Sequence, residues 1–502
     1  MPTRATAKCL PSTYPYNNFP VYFIGIFTPT TRKNHQMNQD TIQRLREIVG
    51  QDQVTTVPEE LACYSYDGTG QEYPPAAVVF PGSTAEICRI MELASTTPFP
   101  VVPRGAGTGM TGGALPVAGG LVMVMSRLNR ILEIDRDNQI GVVEPGVITG
   151  DLRAEAGRHG LYYPPDPASL KFCTMGGNVA ECAGGPSAVK YGVTRDYVLG
   201  LEAVLPDGRL IHTGVRTAKG VVGYDLTRLL VGSEGTLAII TKITVKLLPA
   251  PEARSTLLVL CRGMAEATGL VARILAHHTP CTLEYMDQTA LSIVRDKLPF
   301  PFPEEGGALL LIELDGQKDA VPLATGQLTE FLQTQPGIIM SRTAESEAEA
   351  EQLWAARRVI SPAAFSLKPH KMSEDVVVPR SRLPHLVSCT EKLSRELGVV
   401  IFTFGHAGDG NIHVNIMLDR SIPQEVQQAN AAKQLLFEEV LRLGGTLSGE
   451  HGIGLTKAAY LPMEIDQPTR ALMQEIKKLF DPLNILNPGK IFPPQTKPEK
   501  NI

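Results

Sequence analysis

The sequence predicts an α+β protein made of more than one packed unit. Three observations point there. At 502 residues the chain exceeds the size at which one hydrophobic core keeps growing. Residues 74–250 concentrate short β-branched and apolar runs separated by glycine clusters. Beyond Pro249 and Pro251, helical and strand patterns alternate as in a second, sheet-containing domain. An apolar share of 43% and a charged share of 20% are those of a folded globular protein, which excludes disorder as the main state.

Residues 1–37 read as an N-terminal extension. Their apolar run, Phe19 to Phe27, falls well short of the roughly 20 residues that cross a bilayer. Arg4 and Lys8 precede it as in a secretory signal, but no A-x-A site follows. Regular helical spacing begins after Met37, with Ile42, Leu45, Ile48 and Val49. The unit at 38–250 then shows buried-strand runs at Ala77–Phe80, Pro100–Val102, Leu121–Val124, Gly141–Val143, Leu201–Val204 and Leu237–Ile240, with a helix at Thr84–Leu93 between the first two. In the unit at 251–455, helices at Ala265–His277, Leu323–Gln333 and Ser346–Ser361 alternate with strands at Ala308–Leu314, Val399–Phe404 and His413–Met417. A mostly helical segment, 456–502, ends in Asn487-Pro488-Gly489-Lys490. There is no internal repeat and no transmembrane run.

A net charge of -5 with pI near 6.1, and no basic run interleaved with aromatics, argue against nucleic acid as a partner. The cysteines at 9, 63, 88, 173, 182, 261, 281 and 389 form no C-x-x-C and no cluster-binding run. They read as thiols of a reducing compartment, so a cytoplasmic protein is expected.

The segment Pro103-Arg104-Gly105-Ala106-Gly107-Thr108-Gly109-Met110-Thr111-Gly112-Gly113 follows a strand, and Gly107, Gly109 and Gly112 match G-x-G-x-x-G. A Rossmann turn must open a helix, whereas this one runs through Pro116 and Gly119-Gly120 into another strand, so a nicotinamide site falls. What remains is a loop that can present successive N–H groups to phosphate, with a merely flexible loop as the alternative. Tyr163-Pro164-Pro165-Asp166, Thr174-Met175-Gly176-Gly177-Asn178-Val179-Ala180-Glu181-Cys182-Ala183-Gly184-Gly185, Lys190-Tyr191-Gly192 and Val231-Gly232-Ser233-Glu234-Gly235-Thr236 follow it. So many glycine-rich loops exceed what turn chemistry requires.

At these residues the chain resembles the FAD-linked oxidase family of vanillyl-alcohol oxidase, p-cresol methylhydroxylase, D-lactate dehydrogenases and the FAD subunit of bacterial glycolate oxidase. The likeness spans about 40–492 and implies a p-cresol-methylhydroxylase-type FAD-binding domain of two α+β subdomains. To this it adds a substrate (cap) domain on an antiparallel sheet with helices. It assigns the FAD pyrophosphate to Pro103 through Gly109, with Thr111 and Gly112 beside them. It draws further contacts from Pro165, Asp166, Met175, Gly176, Gly177, Asn178, Ala180, Gly184, Gly185, Tyr191, Gly192, Glu234, Gly235, Thr236 and Ile240, and from Asn487 and Lys490 returning at the C-terminus. Relatives that bind flavin covalently use a histidine near the first loop. This loop has none, so non-covalent FAD is implied.

A second constellation lies downstream. Strand runs ending at His406 and starting near His413 flank Asp409-Gly410, the dipeptide of a two-residue type I′ hairpin. Closure there pairs 406 with 413 and stands both imidazoles opposite each other, about 5 Å apart on one face, with Asn415 on the same side. Gly449-Glu450-His451-Gly452 adds a carboxylate and an imidazole. Two His and one Glu with an open position suit a catalytic metal site, the alternative being surface histidines and an unrelated Glu-His pair.

The resemblance sharpens this reading, because relatives acting on D-2-hydroxyglutarate, D-lactate and glycolate share G-H-x-G-D-G-N-x-H and G-E-H-G-x-G. It implies His406, His413 and Glu450 as ligands of zinc (or manganese or iron), His451 as base, and Arg357 on the substrate carboxylate, with Asn415 and Lys371 as further substrate contacts. The hydroxyglutarate enzymes carry a lysine just before the aspartate where this chain has Ser373-Glu374-Asp375, which favours a shorter acid. The expected activity is oxidation of a small D-2-hydroxy acid, glycolate or D-lactate, with electrons passed to a separate acceptor: an iron–sulfur subunit, another electron-transfer protein or a quinone. Association with the inner membrane through that partner, and a homodimer, are compatible with it. The alternatives are a hydroxyglutarate-type enzyme, an oxygen-using oxidase, an alkyl-glycerone-phosphate-synthase-type enzyme and a flavin-binding subunit inactive alone.

Overall fold

The computed structural model describes residues 37–298, 303 and 305–492. The readings made for residues 1–36 lie outside the described residues.

The chain opens with a helix, Gln39–Val49, whose N-cap Asn38 accepts the Thr41 N–H and whose Ile42, Leu45 and Val49 are buried. Four short strands follow, β1 (Val54–Thr55), β2 (Ala77–Val79), β3 (Val101–Arg104) and β4 (Leu121–Val124), ordered β1-β2-β4-β3. β2 and β3 both run parallel to β4. The β3–β4 crossover is the glycine loop itself with no helix in it, as the sequence predicts. Helix Thr84–Thr96 buries Ile87, Ile90 and Met91 with the residues of these strands. Its start is a capping arrangement in which Ser83 accepts the Glu86 N–H and Glu86 accepts the Gly82 N–H.

Strands β5 (Ile131–Asp135), β6 (Ile140–Val143), β7 (Leu161–Tyr162), β8 (Val198–Val204), β9 (Leu210–Gly214), β10 (Ile239–Lys246) and β11 (Leu248–Pro249) come next. Five of them make an antiparallel sheet ordered β5-β6-β10-β8-β9, while β7 and β11 pair separately. β10 starts two residues later than the apolar run suggests. The turn before it puts Glu234 and Gly235 at φ +52° and +65°, with the Thr236 N–H on the Ser233 carbonyl, so Leu237 and Ala238 approach the strand without joining it. The second glycine stretch is a helix, Met175–Glu181, capped by Thr174.

The remaining strands, β12 (Ala253–Cys261), β13 (Thr282–Asp287), β14 (Ala308–Gly316), β15 (Ile338–Thr343), β16 (His370–Val377), β17 (Val400–His406) and β18 (Asn411–Leu418), form one antiparallel sheet ordered β15-β12-β14-β13-β17-β18-β16. One face packs Leu257, Val259, Tyr285, Leu310 and Val414 against helices Met264–Leu275, Leu383–Leu397 and Pro423–Arg442. The other face places Leu258, Met286, Phe402, Phe404 and Met417 against Leu353, Ile360 and Ala364. Those three lie in helices Glu347–Arg358 and Ile360–Ala363 and the turn that follows; the sequence suggests one continuous helix over Ser346–Ser361.

The C-terminal segment returns to the first sheet, where Val101 donates to Ile485 O and Asn487 donates back to Val101 O. No described helix is long and apolar enough to cross a membrane. Cys88, Cys173, Cys182, Cys261, Cys281 and Cys389 are free thiols among the described residues.

Candidate active site

The site is built on a row of residues that the second face of the seven-stranded sheet presents from adjacent strands. Alternation along β13 sends Leu283 and Tyr285 to one core and Glu284 and Met286 to the other side. β13 pairs Tyr285 with Gly405, β17 pairs Phe404 with His413, and β16 pairs Asp375 with His413. Glu284, His406, His413 and Asp375 therefore form a polar row across four strands, all buried.

The hairpin differs from expectation. Its register pairs His406 with Asn411, and the turn spans Ala407–Gly410, with Asp409 and Gly410 donating to His406 O and Ala407 O. Neighbouring strands enforce the longer turn: Gly408 donates to Leu283 O and Val378 donates to Gly410 O. The two histidines are thus diagonal and not opposite. A shift of an even number of residues keeps both on the same face, so their ring centroids still lie 5.1 Å apart.

Ligand atoms of His406, His413 and Glu450 all lie within 4.8 Å of one another. His406 Nε2 is 3.2 Å and His413 Nε2 3.6 Å from Glu450 Oε1. His406 Nδ1 lies 2.6 Å from Glu284 Oε1, which fixes the ring and leaves Nε2 as the donor atom. Burial and the charges of His406, His451 and Arg357 push His413 well below the usual histidine range, while His406 holds Glu450 below the carboxylate range against its burial. Glu284 and Glu450 draw His406 up against its burial, so the space between them favours positive charge.

Glu284 also takes Arg357, whose Nε and Nη2 lie 2.7 and 2.5 Å from Oε2, with the guanidinium 4.5 Å from the Phe404 ring centroid. Burial alone would raise the Glu284 carboxyl, but Arg357 and His406 hold it at about 2. Nη1 of Arg357 takes no part in that pair. Asn415, fully buried, donates to His413 O and accepts from Ser373. Lys371 shares the β16 face of Ser373 and Asp375, donates to Ser361 Oγ at 2.5 Å and has no carboxylate partner among the described residues. Burial brings its pKa down to about 8.

Asp375 holds the loop that delivers Glu450 and His451. Its Oδ2 accepts the N–H groups of Gly449, Glu450 and His451 at 2.9, 2.8 and 2.9 Å, and its Oδ1 takes the buried Lys457 ammonium. With several donors and a cation on it, Asp375 sits well below the carboxylate range despite its burial. His451 stacks on His413 at 5.5 Å, and its Nδ1 lies 3.3 Å from Asp375 Oδ1 without the alignment of a hydrogen bond. From the opposite side, Thr111 donates to His451 O, and Glu234 accepts from Ile453 and Gly454.

One cavity joins this site to the glycine loops. Pro103, Arg104, Gly105, Ala106, Gly107, Thr108, Gly109, Gly176, Gly177, Asn178, Ala180, Glu234, Gly235 and Ile240 line it together with Glu450 and His451. Arg104 curls beneath Gly107, its guanidinium 2.1 Å from where a Cβ would sit, and Gly107 has φ +71°. Arg104 Nη1 is buried without a hydrogen-bond partner in a cavity walled by glycine backbone, a donor set that fits an anionic dinucleotide.

Other expected cofactor residues stand outside the lining. Met175 is core, Thr236 caps its own turn on Ser233 O, and Tyr191 donates to Asp315. Asp166, raised to about 6 by burial, accepts from Ser187, and buried Pro165 precedes it while Gly185 abuts it. Gly192 packs on Asp196, Gly112 on Leu455, and Gly184 faces Glu450 Oε2 at 2.9 Å from its Cβ position. Asn487 and Lys490 brace the first loop through Gly113 O and Leu115 O.

Two family models match the chain: an FAD-binding domain over residues 75–214 and the C-terminal domain of FAD-linked oxidases over 250–491. The glycolate oxidase subunit GlcD of Bacillus subtilis is 43% identical over 91% of this chain and 97% of its own length. The chain belongs to the FAD-linked oxidase family. A D-lactate dehydrogenase of Anaerostipes hadrus is 35% identical over 83% of this chain and 89% of that protein. The family fold is seen in p-cresol methylhydroxylase, which superposes with a TM-score of 0.77 at 18% identity over 91% of this chain and 97% of that one. This FAD-linked oxidoreductase therefore has the two-subdomain FAD-binding architecture and C-terminal domain that its sequence predicts.

Sequence reasoning missed Glu284, Asp375 as the loop holder and Lys457. Glu284 left a signal, a carboxylate interrupting the apolar run Leu283 to Met286, but β13 itself was not read as a strand.

Proposed function

We propose that this FAD-linked oxidoreductase oxidises a small D-2-hydroxy acid, glycolate or D-lactate, to the 2-oxo acid, gripping it with a divalent metal, most simply zinc. The observation that carries the reading is the single cavity lined by the glycine loops and by His451 and Glu450. When bound, the metal supplies Lewis acidity to a hydroxyl and the flavin supplies a hydride acceptor. His406, His413 and Glu450 would hold the ion, and the Arg104 loop the cofactor phosphates.

The remaining chemistry belongs to the side chains. Arg357, with one edge committed to Glu284, offers Nη1 to the substrate carboxylate. Asp375 beside Nδ1 of His451 favours the proton on that atom, so Nε2 is the atom that removes the hydroxyl proton. Phe404 packs against His413, on which His451 stacks, an aromatic wall beside the candidate ligands. With no cluster-binding cysteine run in the sequence, the electrons leave to a separate acceptor, an iron–sulfur subunit, another electron-transfer protein or a quinone.

Lys371 favours a second reading: a half-buried amine on the site's sheet face, with no carboxylate partner among the described residues, suits an acid with a second carboxylate, as in D-2-hydroxyglutarate. The test is anaerobic mixing of the protein with glycolate, D-lactate, L-lactate and D-2-hydroxyglutarate, following flavin absorbance before and after chelation. Bleaching by a D-acid or glycolate that chelation abolishes supports the proposal. Bleaching unaffected by chelation overturns the metal's role, and none with any of the acids overturns the substrate class.

A further inference from the structure

Glu181 ends the helix Met175–Glu181 and lines the cavity between the first glycine loop and the loop of His451. Its carboxyl fills the room that two glycines leave. Oε1 is 2.7 Å from the Cβ position of Gly113, and Oε2 is 2.5 Å from that of Gly452. Oε2 is buried and receives no hydrogen bond.

The surroundings disfavour a negative charge on this group. Glu234 Oε1 lies 2.9 Å from the same Gly452 Cβ position, so the two carboxyls are close neighbours. Burial raises the Glu234 carboxyl as well, but Glu234 accepts the N–H groups of Ile453 and Gly454 at 2.8 and 2.7 Å, donors that favour its ionised form and that Glu181 Oε2 lacks. Asp67 and Asp375 add further negative charge nearby. The cation that bears on Glu181 is Lys490, and its ammonium already donates to Leu115 O, Asn487 Oδ1 and Gly113 O at 2.5, 3.1 and 3.4 Å. Two like charges this close in a dry site do not both ionise, and the better-solvated one keeps the charge.

We propose that Glu181 is held as the neutral carboxylic acid and donates a hydrogen bond to a polar edge of the bound flavin, stabilising the charge the flavin gains on reduction. The proposal rests on the reading of FAD in this cavity. Burial and the Glu234 carboxylate, which push the Glu181 carboxyl well above its ordinary range, act in the same direction. Oε2 faces Glu234, whereas Oε1 faces the first glycine loop across the cavity, where the flavin ring, rich in carbonyl oxygens and imine nitrogens, would be the acceptor for a proton on it. Glu181 then acts on the cofactor directly, through its electronics, and carries no proton of the substrate.

The experiment measures the flavin midpoint potential of the intact holoprotein by anaerobic reduction against a reference dye, for wild type, Glu181→Gln and Glu181→Ala. A neutral donor predicts that Ala lowers the potential, by about a tenfold change in the oxidised-to-reduced ratio at fixed potential, the scale of one hydrogen bond to a charged group. It also predicts that Gln, uncharged and still a donor, stays near wild type. An ionised Glu181 predicts that both variants raise the potential, and a residue that does not touch the flavin predicts no change in either; each outcome overturns the proposal. If the Ala variant loses flavin, Glu181→Met, similar in volume and without a donor, replaces it. Wild-type protein without flavin absorbance would overturn the cofactor reading itself, whereas a yellow protein indifferent to residue 181 overturns this proposal alone.

Discussion

Glu284 Oε1 lies 2.6 Å from His406 Nδ1, and the same carboxylate carries Arg357 on its other oxygen. One buried group thus orients both a candidate metal ligand and the arginine proposed to receive substrate. Glu284→Gln keeps the shape and removes the charge. Metal affinity is expected to fall about 10–100-fold, the usual cost of losing a carboxylate behind a ligating histidine. Competition with a chromophoric chelator measures it, and unaltered affinity would remove Glu284 from this role.

His451 stacks on His413 at the cavity wall, 17% exposed at its side chain. His451→Gln is expected to lower the rate of anaerobic flavin reduction by about 10²–10⁴, the contribution of a positioned general base. Flavin content should be unchanged, since no glycine-loop contact is lost. Stopped-flow absorbance reads both, and a wild-type reduction rate in the variant would give the proton-accepting role to another group.

Lys457 is 1% exposed and its ammonium is bound to Asp375 and to Leu447 O. Lys457→Met leaves a buried carboxylate without its cation, and stability should drop by about 3–5 kcal/mol. Adding Asp375→Asn should recover part of the loss, because the orphaned charge is gone. Denaturant unfolding of the two variants measures both terms. A double variant no more stable than Lys457→Met would show that the ion pair is not the cause.

The Lys371 ammonium, brought down to about 8 by burial, is cationic below that pH and neutral above it. If it receives a second carboxylate, KM for D-2-hydroxyglutarate rises as pH passes about 8 while KM for glycolate does not, and Lys371→Met abolishes the difference. Parallel KM profiles for the two acids in wild type would exclude this contact.

Much of this was legible in the residues, for reasons that differ by element. The strand β4 reads directly because all four of its residues are apolar and buried, and the first glycine loop because its proline and glycines exclude a helix. The histidines of β17 and β18 fall on one face in the expected register and in the observed one alike, since side-chain alternation tolerates an even slip. The true turn length depends on backbone bonds to β13 and from Val378 just past β16, partners remote in sequence, and so lies beyond local turn chemistry. Asp375 escaped for a similar reason. Its importance comes from backbone groups more than seventy residues away, and only the folded sheet brings them together.

The loop of Glu450 and His451 is fastened on both flanks, by Asp375 from the seven-stranded sheet and by Thr111 and Glu234 from the glycine-rich half. A hinge that parted the two halves would tear that loop from one of its anchors. If the proposed reaction holds, side chains and not whole lobes gate the passage of substrate and product. By the same token, neither half can melt alone without dismantling the reaction centre, so loss of function and loss of structure on heating should coincide.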